Sequence, residues 1–206
     1  MDKCKVALCG CGTVGMGVAE ALLDPAALRE RIGDRIELKY VVDLRVEEIR
    51  RALDLPEGVV LTDNLTQALD DPEVDLVVEL LGGTTVAREV TEHALRAGKD
   101  VVTANKALLA EHGDDLFRLA RRQGRCIAFG GGVGGGIPII SSLRDGMVGD
   151  RIESIYGIVN GTCNYILTAM MERGLPYTQA LAEAQQHGYA EADPRLDVSG
   201  LDSRTS

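Results

Sequence analysis

Gly10-Cys11-Gly12-Thr13-Val14-Gly15 stands between a short apolar run, Lys5-Val6-Ala7-Leu8-Cys9, and a helix-like stretch, Met16-Gly17-Val18-Ala19-Glu20-Ala21-Leu22-Leu23. Glycines in the order G-x-G-x-x-G, after a strand and at the start of a helix, are the fingerprint of a dinucleotide-binding turn. Gly10 permits the tight turn, Gly12 keeps a side chain out of the way of a pyrophosphate, and Gly15 lets the helix lie close to the strand. The first turn of that helix offers free N–H groups and a partial positive charge to phosphate oxygens. With 24 glycines in 206 residues such a spacing arises readily by chance. Its place between strand and helix is what makes it informative.

The following hundred residues repeat the alternation. Strands are expected at Lys5–Cys9, Ile36–Asp43, Val59–Thr62, Val74–Leu80, Asp100–Thr103 and Cys126–Phe129, and helices at Val14–Leu23, Val46–Leu53, Leu65–Leu69, Thr85–Ala97 and Asp114–Gln123. Pro25–Arg35 reads as an extra helical segment. The β-branched, largely apolar runs Val74–Leu80 and Val101–Thr103 suit strands buried on both faces. Gly98 and Gly124 follow helical runs and read as C-caps. The fold class implied is α/β, a Rossmann-type doubly wound parallel sheet.

Gly130-Gly131-Gly132-Val133-Gly134-Gly135-Gly136 ends this pattern, with six glycines in seven residues. Such a run forms neither strand nor helix of ordinary stability. It reads equally as an interdomain hinge or as backbone wrapped round a ligand or ion. Ile137-Pro138-Ile139-Ile140 then opens a helix with Pro near its first turn. A second unit follows, with a strand at Ile152–Val159 and helices at Tyr165–Arg173 and Tyr177–His187. One strand makes no sheet. The expected organisation is therefore a dinucleotide-binding domain over residues 1–132 and the start of an incomplete α+β substrate domain over 133–206.

Composition narrows the partners. A net charge of −10 repels the phosphates of nucleic acids and anionic membranes, and 3% aromatic content with no Trp leaves little on which to stack bases. No run approaches the roughly 20 apolar residues of a membrane span, and the N-terminus enters the first strand without a signal segment. Cys4, Cys9, Cys11, Cys126 and Cys163 form no C-x-x-C pair. Strand alternation scatters the first three, so a metal site there is disfavoured, and Cys9 and Cys126 read as small hydrophobes at buried strand ends. A reducing, cytoplasmic setting and a small-molecule ligand fit these features. His93, His112 and His187 are scattered and read as helix-surface residues.

Asp43 ends the second expected strand, where a carboxylate accepts hydrogen bonds from the adenosine ribose and repels a 2′-phosphate, favouring NAD over NADP. A solvated strand-end Asp is the plainer alternative, and Arg45, two residues on, works against the preference by offering a phosphate partner. Glu79-Leu80-Leu81-Gly82-Gly83 closes the fourth strand at the carboxyl edge, where doubly wound sheets bind ligands; Gly82 and Gly83 let backbone approach a nicotinamide. Thr103-Ala104-Asn105-Lys106 closes the fifth strand at the same edge, which aims Lys106 at the crevice. A cation is poorly placed at a helix start, a conflict that functional sites tolerate. Glu191, Asp193, Asp197 and Asp202 are either a solvated acidic tail or a loop holding a substrate ammonium group.

Taken in order, Gly10–Gly15, Glu79–Gly83, Thr103–Lys106, Val133–Ile140, Asn160-Gly161-Thr162 with Asn164-Tyr165, and Gly188–Asp202 resemble homoserine dehydrogenase across essentially the whole chain. The resemblance implies NAD(P)-dependent interconversion of L-homoserine and L-aspartate 4-semialdehyde, in the route to threonine and methionine, by a homodimer. It implies cofactor contacts from Gly10, Cys11, Gly12, Thr13, Val14, Gly15, Asp43, Gly82, Lys106 and Gly188. Substrate contacts fall to Glu191, Asp197, Asp202, Tyr189 and Thr162, and Lys106 takes a catalytic place between cofactor and substrate. Backbone at Gly130, Val133, Gly135 and Ile137 matches a monovalent-cation site. The chain departs from the family pattern twice. Gly130-Gly131-Gly132 replaces Glu-Ala-Ser, and Ser206 stands where the family has a second lysine, so the ending reads as a premature or altered terminus and the alternative is a weak or inactive dinucleotide-binding fragment.

Overall fold

The computed structural model describes residues 3–24, 26, 30, 35–158, 160–187 and 189. The chain divides into two compact units, Met1–Gly135 and Gly136–Ser206.

In the first unit, β1 (Cys4–Cys9) leads through the glycine turn into α1 (Thr13–Leu23), followed by β2 (Ile36–Val42), α2 (Val46–Ala52), β3 (Val60–Thr62), α3 (Leu65–Leu69), β4 (Leu76–Glu79), α4 (Thr85–Arg96), β5 (Asp100–Thr103), α5 (Lys106–Gln123) and β6 (Ile127–Ala128). The sheet order is β3-β2-β1-β4-β5-β6, every pair parallel. The chain winds outward from β1 in one direction and then returns to β4, so the order reverses between β1 and β4. Crevices for ligands form at such a reversal, beyond the carboxyl ends of the strands.

Alternation along the strands builds two cores. Ala7 and Cys9 of β1 pack with Val77, Val101 and residues of α3, α4 and α5, whereas Val6 and Leu8 face the other way onto Ala19 of α1 and Ile49 of α2. Burial on both faces is why these strands are near-continuously apolar. The amino edge is closed by charge: Lys99, 3% exposed, donates from Nζ to the carbonyls of Asp71 (2.6 Å) and Val74 (2.8 Å), while Lys39 pairs with Asp71 at 2.7 Å.

The six expected strands and five helices of this unit are all present, with one large difference of extent. α5 begins at Lys106 rather than Asp114, because the Asn105 side chain caps it and Gly113 is buried in mid-helix, where a Cβ would meet the Phe117 ring at 3.7 Å. Gly124 ends α5 at φ 62° and Gly98 follows α4 at φ 76°, as C-caps do. Cys126 is exposed, not buried: the ladder to β5 begins at Ile127, and Cys126 precedes it with its N–H on Asp100 Oδ1. Most of Pro25–Arg35 lies outside the described residues.

The glycine run forms a 3-10 turn over Gly130–Gly132, with Gly134 and Gly136 at positive φ. In the second unit, α6 (Ile139–Ser141) opens after Pro138 and runs into a π-type turn over Ser142–Gly146. α7 (Gly161–Arg173) and α8 (Tyr177–Gln186) pack through Ile166, Ala169, Ala180 and Ala184. The strand expected at Ile152–Val159 is not formed. Residues 151–158 are irregular, with Tyr156 92% and Ile158 74% exposed, and Val159 lies outside the described residues. A β-branched run becomes a strand only by pairing, and among the described residues of this unit there is no strand to pair with.

The tightest backbone contact gives a test. A Cβ on Gly15 would lie 2.1 Å from the Gly10 carbonyl oxygen, whereas one on Gly17, exposed in the same helix, meets nothing within 4 Å. Gly15→Ala is expected to lower stability by about 1–3 kcal/mol and Gly17→Ala to raise it by about 0.5–1 kcal/mol, as read from thermal unfolding by circular dichroism. Equal effects would show that α1 does not depend on this close approach.

Candidate functional site

Register brings the carboxyl ends of four strands to one level: Val42 pairs with Cys9, Cys9 with Glu79, and Glu79 with Thr103. The next residues along each strand, Asp43, Gly10, Leu80 and Ala104, begin the candidate site.

At β1, Gly10 has φ 94°, and a Cβ there would come within 2.5 Å of the Leu80 carbonyl oxygen. Gly15 is closed off in the same way by Gly10. Gly12 differs, since a Cβ on it would meet nothing within 4 Å. The loop is thus packed against protein at its first and third glycines and open at its second. α1 begins just after Gly12, with no side-chain cap on its first turn. Cys11 is 2% exposed, its Sγ 3.4 Å from Met16 Sδ. Thr13 and Val14 are exposed on the first turn.

Asp43 is bound to this loop. Its Oδ2 accepts from the Cys11 N–H at 2.8 Å and from Arg45 Nη2 at 3.1 Å; its Oδ1 accepts from the Arg45 N–H at 2.9 Å and Nε at 3.1 Å. Arg45 Nη2 also donates to the Cys11 carbonyl at 3.1 Å. Burial pushes the Asp43 carboxyl up, but the Arg45 and Cys11 hydrogen bonds outweigh it and hold the pKa down to about 2. The same burial, with Asp43 beside it, raises the Cys11 thiol, so Cys11 packs as a small apolar side chain rather than as a thiolate.

Between β4 and β5 lies a buried carboxylate. Glu79 is fully buried, its Oε1 accepting from the Leu81 N–H at 2.8 Å and its Oε2 from the Thr103 hydroxyl at 2.5 Å. Burial raises its pKa against hydrogen bonds from Thr103, Leu81 and Asn105. Asn105 donates from Nδ2 to the carbonyls of Leu81 (3.2 Å) and Gly83 (2.7 Å), and its Oδ1 caps α5 at the Leu108 N–H (3.0 Å). Gly82 has open space at its Cβ position, and Gly83 has φ 75°. Lys106 follows as the first residue of α5, half-buried. Asn105 enters the sequence reading only within the Thr103-Ala104-Asn105-Lys106 motif, with no role of its own, because a reading for charges and glycines passes over a cap-type amide before a helix.

The expected cofactor residues Gly10, Cys11, Gly12, Thr13, Val14, Gly15, Asp43, Gly82 and Lys106 thus all lie at the carboxyl edge of the first unit. Gly130, Val133 and Gly135 belong to the first unit and Ile137 to the second. Among the described residues no three His, Cys, Asp or Glu side chains gather as a metal site, and no helix is long and apolar enough to cross a membrane.

In the second unit Asn160 caps α7, Oδ1 accepting from the Cys163 N–H at 2.7 Å. Thr162 donates its hydroxyl to the Tyr189 carbonyl, and the Tyr165 and Tyr189 rings lie 5.0 Å apart. Gly161, Thr162, Asn164, Tyr165, Thr168 and Tyr189 line a pocket of about 560 Å³. Thr162 and Tyr189, singled out for substrate, are therefore neighbours. Gly188, Glu191, Asp193, Asp197, Asp202 and Ser206 lie outside the described residues.

The chain is similar to known proteins along most of its length. The family model described as homoserine dehydrogenase, NAD binding domain, matches residues 10–130, and the one described as homoserine dehydrogenase matches residues 138–205. The homoserine dehydrogenases of Neisseria gonorrhoeae and Bacillus subtilis are each 44% identical over 204 residues, covering 98% of this chain and 46% and 47% of their own. The structure of a homoserine dehydrogenase from Thiobacillus denitrificans superposes with a TM-score of 0.86 at 41% identity, covering 98% of this chain and 47% of that one. A hyperthermophilic archaeal homoserine dehydrogenase in complex with NADPH superposes with a TM-score of 0.79 at 27% identity, covering 98% and 67%. The chain spans about half the length of the curated relatives it matches.

The Asp43 contacts have a pH signature. A carboxyl held below its unfolded value of about 3.9 stabilises the folded chain fully above that value and loses the contribution as pH falls through about 2. The stability difference between the parent chain and Asp43→Asn is expected to be constant near neutrality and to shrink between about pH 4 and pH 2, as measured by urea unfolding at a series of pH values. A difference that does not change with pH would mean that the charge of Asp43 is not what holds the loop.

Proposed function

The chain belongs to the homoserine dehydrogenase family, and on that premise we propose that residues 1–132 bind NAD(H) and that the complete protein interconverts L-homoserine and L-aspartate 4-semialdehyde. The observation that carries the reading is the unequal packing of the three glycines. Gly10 and Gly15 are closed by main chain, while Gly12 is open at the N-terminus of an uncapped helix. That is where a pyrophosphate needs bare N–H groups and no side chain in the way.

In this reading Gly10–Gly15 hold the pyrophosphate, Asp43 the adenosine ribose, and Gly82 the nicotinamide side. The bound dinucleotide supplies the hydride chemistry, and the chain binds and orients both reactants. Lys106 provides a cation at the crevice. Thr162 and Tyr189 line the substrate pocket, Gly188 serves the cofactor, and Glu191, Asp197 and Asp202 accept from the homoserine ammonium group. NAD is favoured over NADP because Asp43 is ionised at neutral pH, and the preference is modest because Arg45 already balances its charge. A cytoplasmic homodimer acting on a small molecule is the accompanying proposal for the complete protein.

Titration of NADH fluorescence tests the first half. The parent chain is expected to bind NADH more tightly than NADPH, and Gly12→Val to weaken both by at least about tenfold, since the branched side chain would fill the open face of the loop. Equal binding by parent and variant would overturn the assignment. For the chemical half, NADH formation from L-homoserine by the complete protein is expected to fall roughly 10²–10⁴-fold in kcat with Lys106→Ala. An unchanged kcat would take Lys106 out of the mechanism.

A further inference from the structure

Asn105 does more than a helix cap requires. Capping uses only its Oδ1, on the Leu108 N–H. Its backbone N–H donates to Thr103 Oγ1 at 3.0 Å, and its Nδ2, beside Glu79, donates to two carbonyls of one loop, Leu81 and Gly83. That loop is held at two further points: the Leu80 N–H donates to the Cys9 carbonyl at 2.8 Å, and the Leu81 N–H to Glu79 Oε1. Glu79 in turn receives the Thr103 hydroxyl, which itself accepts from Asn105. The circuit Glu79–Thr103–Asn105–Leu81 therefore closes on itself, and it joins the end of β4 to the start of α5. It fixes the backbone on either side of the crevice, at Gly82, with free space at its Cβ position, and at Lys106, the residue after Asn105.

We propose that Asn105 is a positioning residue for the nicotinamide half of the bound dinucleotide, holding the Leu81–Gly83 carbonyls against the start of α5 so that Gly82 and Lys106 keep one geometry. This rests on the reading that the carboxyl edge binds NAD(H). Its physical basis is that two carbonyls left without their donor turn elsewhere for hydrogen bonds, and the loop carrying them relaxes. The pyrophosphate turn is held by different groups, Asp43, Arg45 and the Gly10–Gly15 contact. Loss of the Asn105 amide should thus separate the two ends of the ligand.

Asn105→Asp removes the donor, and Asn105→Ser, which sets no new charge beside the buried Glu79, is measured alongside it. The carboxylate still caps Leu108 and suits a helix N-terminus, but it presents oxygen where Leu81 and Gly83 need a donor. ADP-ribose, which carries the adenosine and pyrophosphate without nicotinamide, is compared with NADH by isothermal calorimetry on the parent chain and the variant. NADH is expected to bind the variant about tenfold more weakly and ADP-ribose within twofold of the parent. Should Asn105→Asp fail to unfold cooperatively, Asn105→Ser carries the test, since its hydroxyl caps Leu108 but is too short for both carbonyls. Equal weakening of both ligands would reduce Asn105 to a structural cap and overturn the proposal, as would equal retention of both. A parent chain that binds ADP-ribose no less tightly than NADH would overturn it alone. A parent chain that binds neither would overturn the dinucleotide reading with it.

Discussion

Where β1 hands over to α1, main chain meets main chain: the Gly10 carbonyl oxygen occupies the space that a Cβ on residue 15 would need, and the position of a Cβ on Gly10 itself falls within 2.5 Å of the Leu80 carbonyl oxygen. Two contacts without side chains bring three segments of backbone together at the centre of the sheet. α1 lies against β1 because of the first, and the loop after β4 lies against the glycine turn because of the second. Since the strand order reverses between β1 and β4, the same small volume is also the floor of the crevice. Packing of this kind leaves little room to adjust, because interiors relax only partly around an added carbon.

The polar counterpart of that contact is Glu79. A carboxylate with no exposure is tolerated only when its oxygens are met by donors, and here the donors come from Leu81 and Thr103. The requirement works in both directions. The loop after β4 satisfies Glu79, and Glu79 fixes the loop, together with Asn105 on its other side. On the amino edge Lys99 plays a similar part with opposite charge, tying down the carbonyls of Asp71 and Val74. Ionisable side chains buried at the two ends of the strands thus hold the connections, while apolar alternation holds the layers.

Much of this architecture is legible in the amino-acid sequence. Alternation of β-branched runs with helical periods announces a doubly wound sheet, and the glycine spacing locates the turn at its centre. The extent of α5 is only half legible: Lys106 reads as standing at a helix start, but Gly113 interrupts a pattern whose apolar face continues through it, packed on Phe117. Cys126 looks like a strand residue by composition, but register places the ladder one residue later. Ile152–Ile158 has strand-like residues without a strand, since pairing is a property of neighbours and not of the segment. Among the candidate site residues, glycines and charges declare themselves. Asn105 does not, because an amide that links two distant carbonyls looks in sequence like any residue before a helix.

Arg45 already occupies both oxygens of Asp43, and it reaches the Cys11 carbonyl as well. On the proposed reading, a ribose arriving at that carboxylate would exchange one set of hydrogen bonds for another rather than add a new set, so the net gain at the adenosine end would be small. Binding then depends on what the ligand carries beyond its first sugar. Adenosine and AMP offer that end and little more, so on the same reading the chain's own arginine would compete with them for its acceptor. On the proposed reading, the clamp that keeps the turn in shape would also screen the crevice against fragments of the dinucleotide.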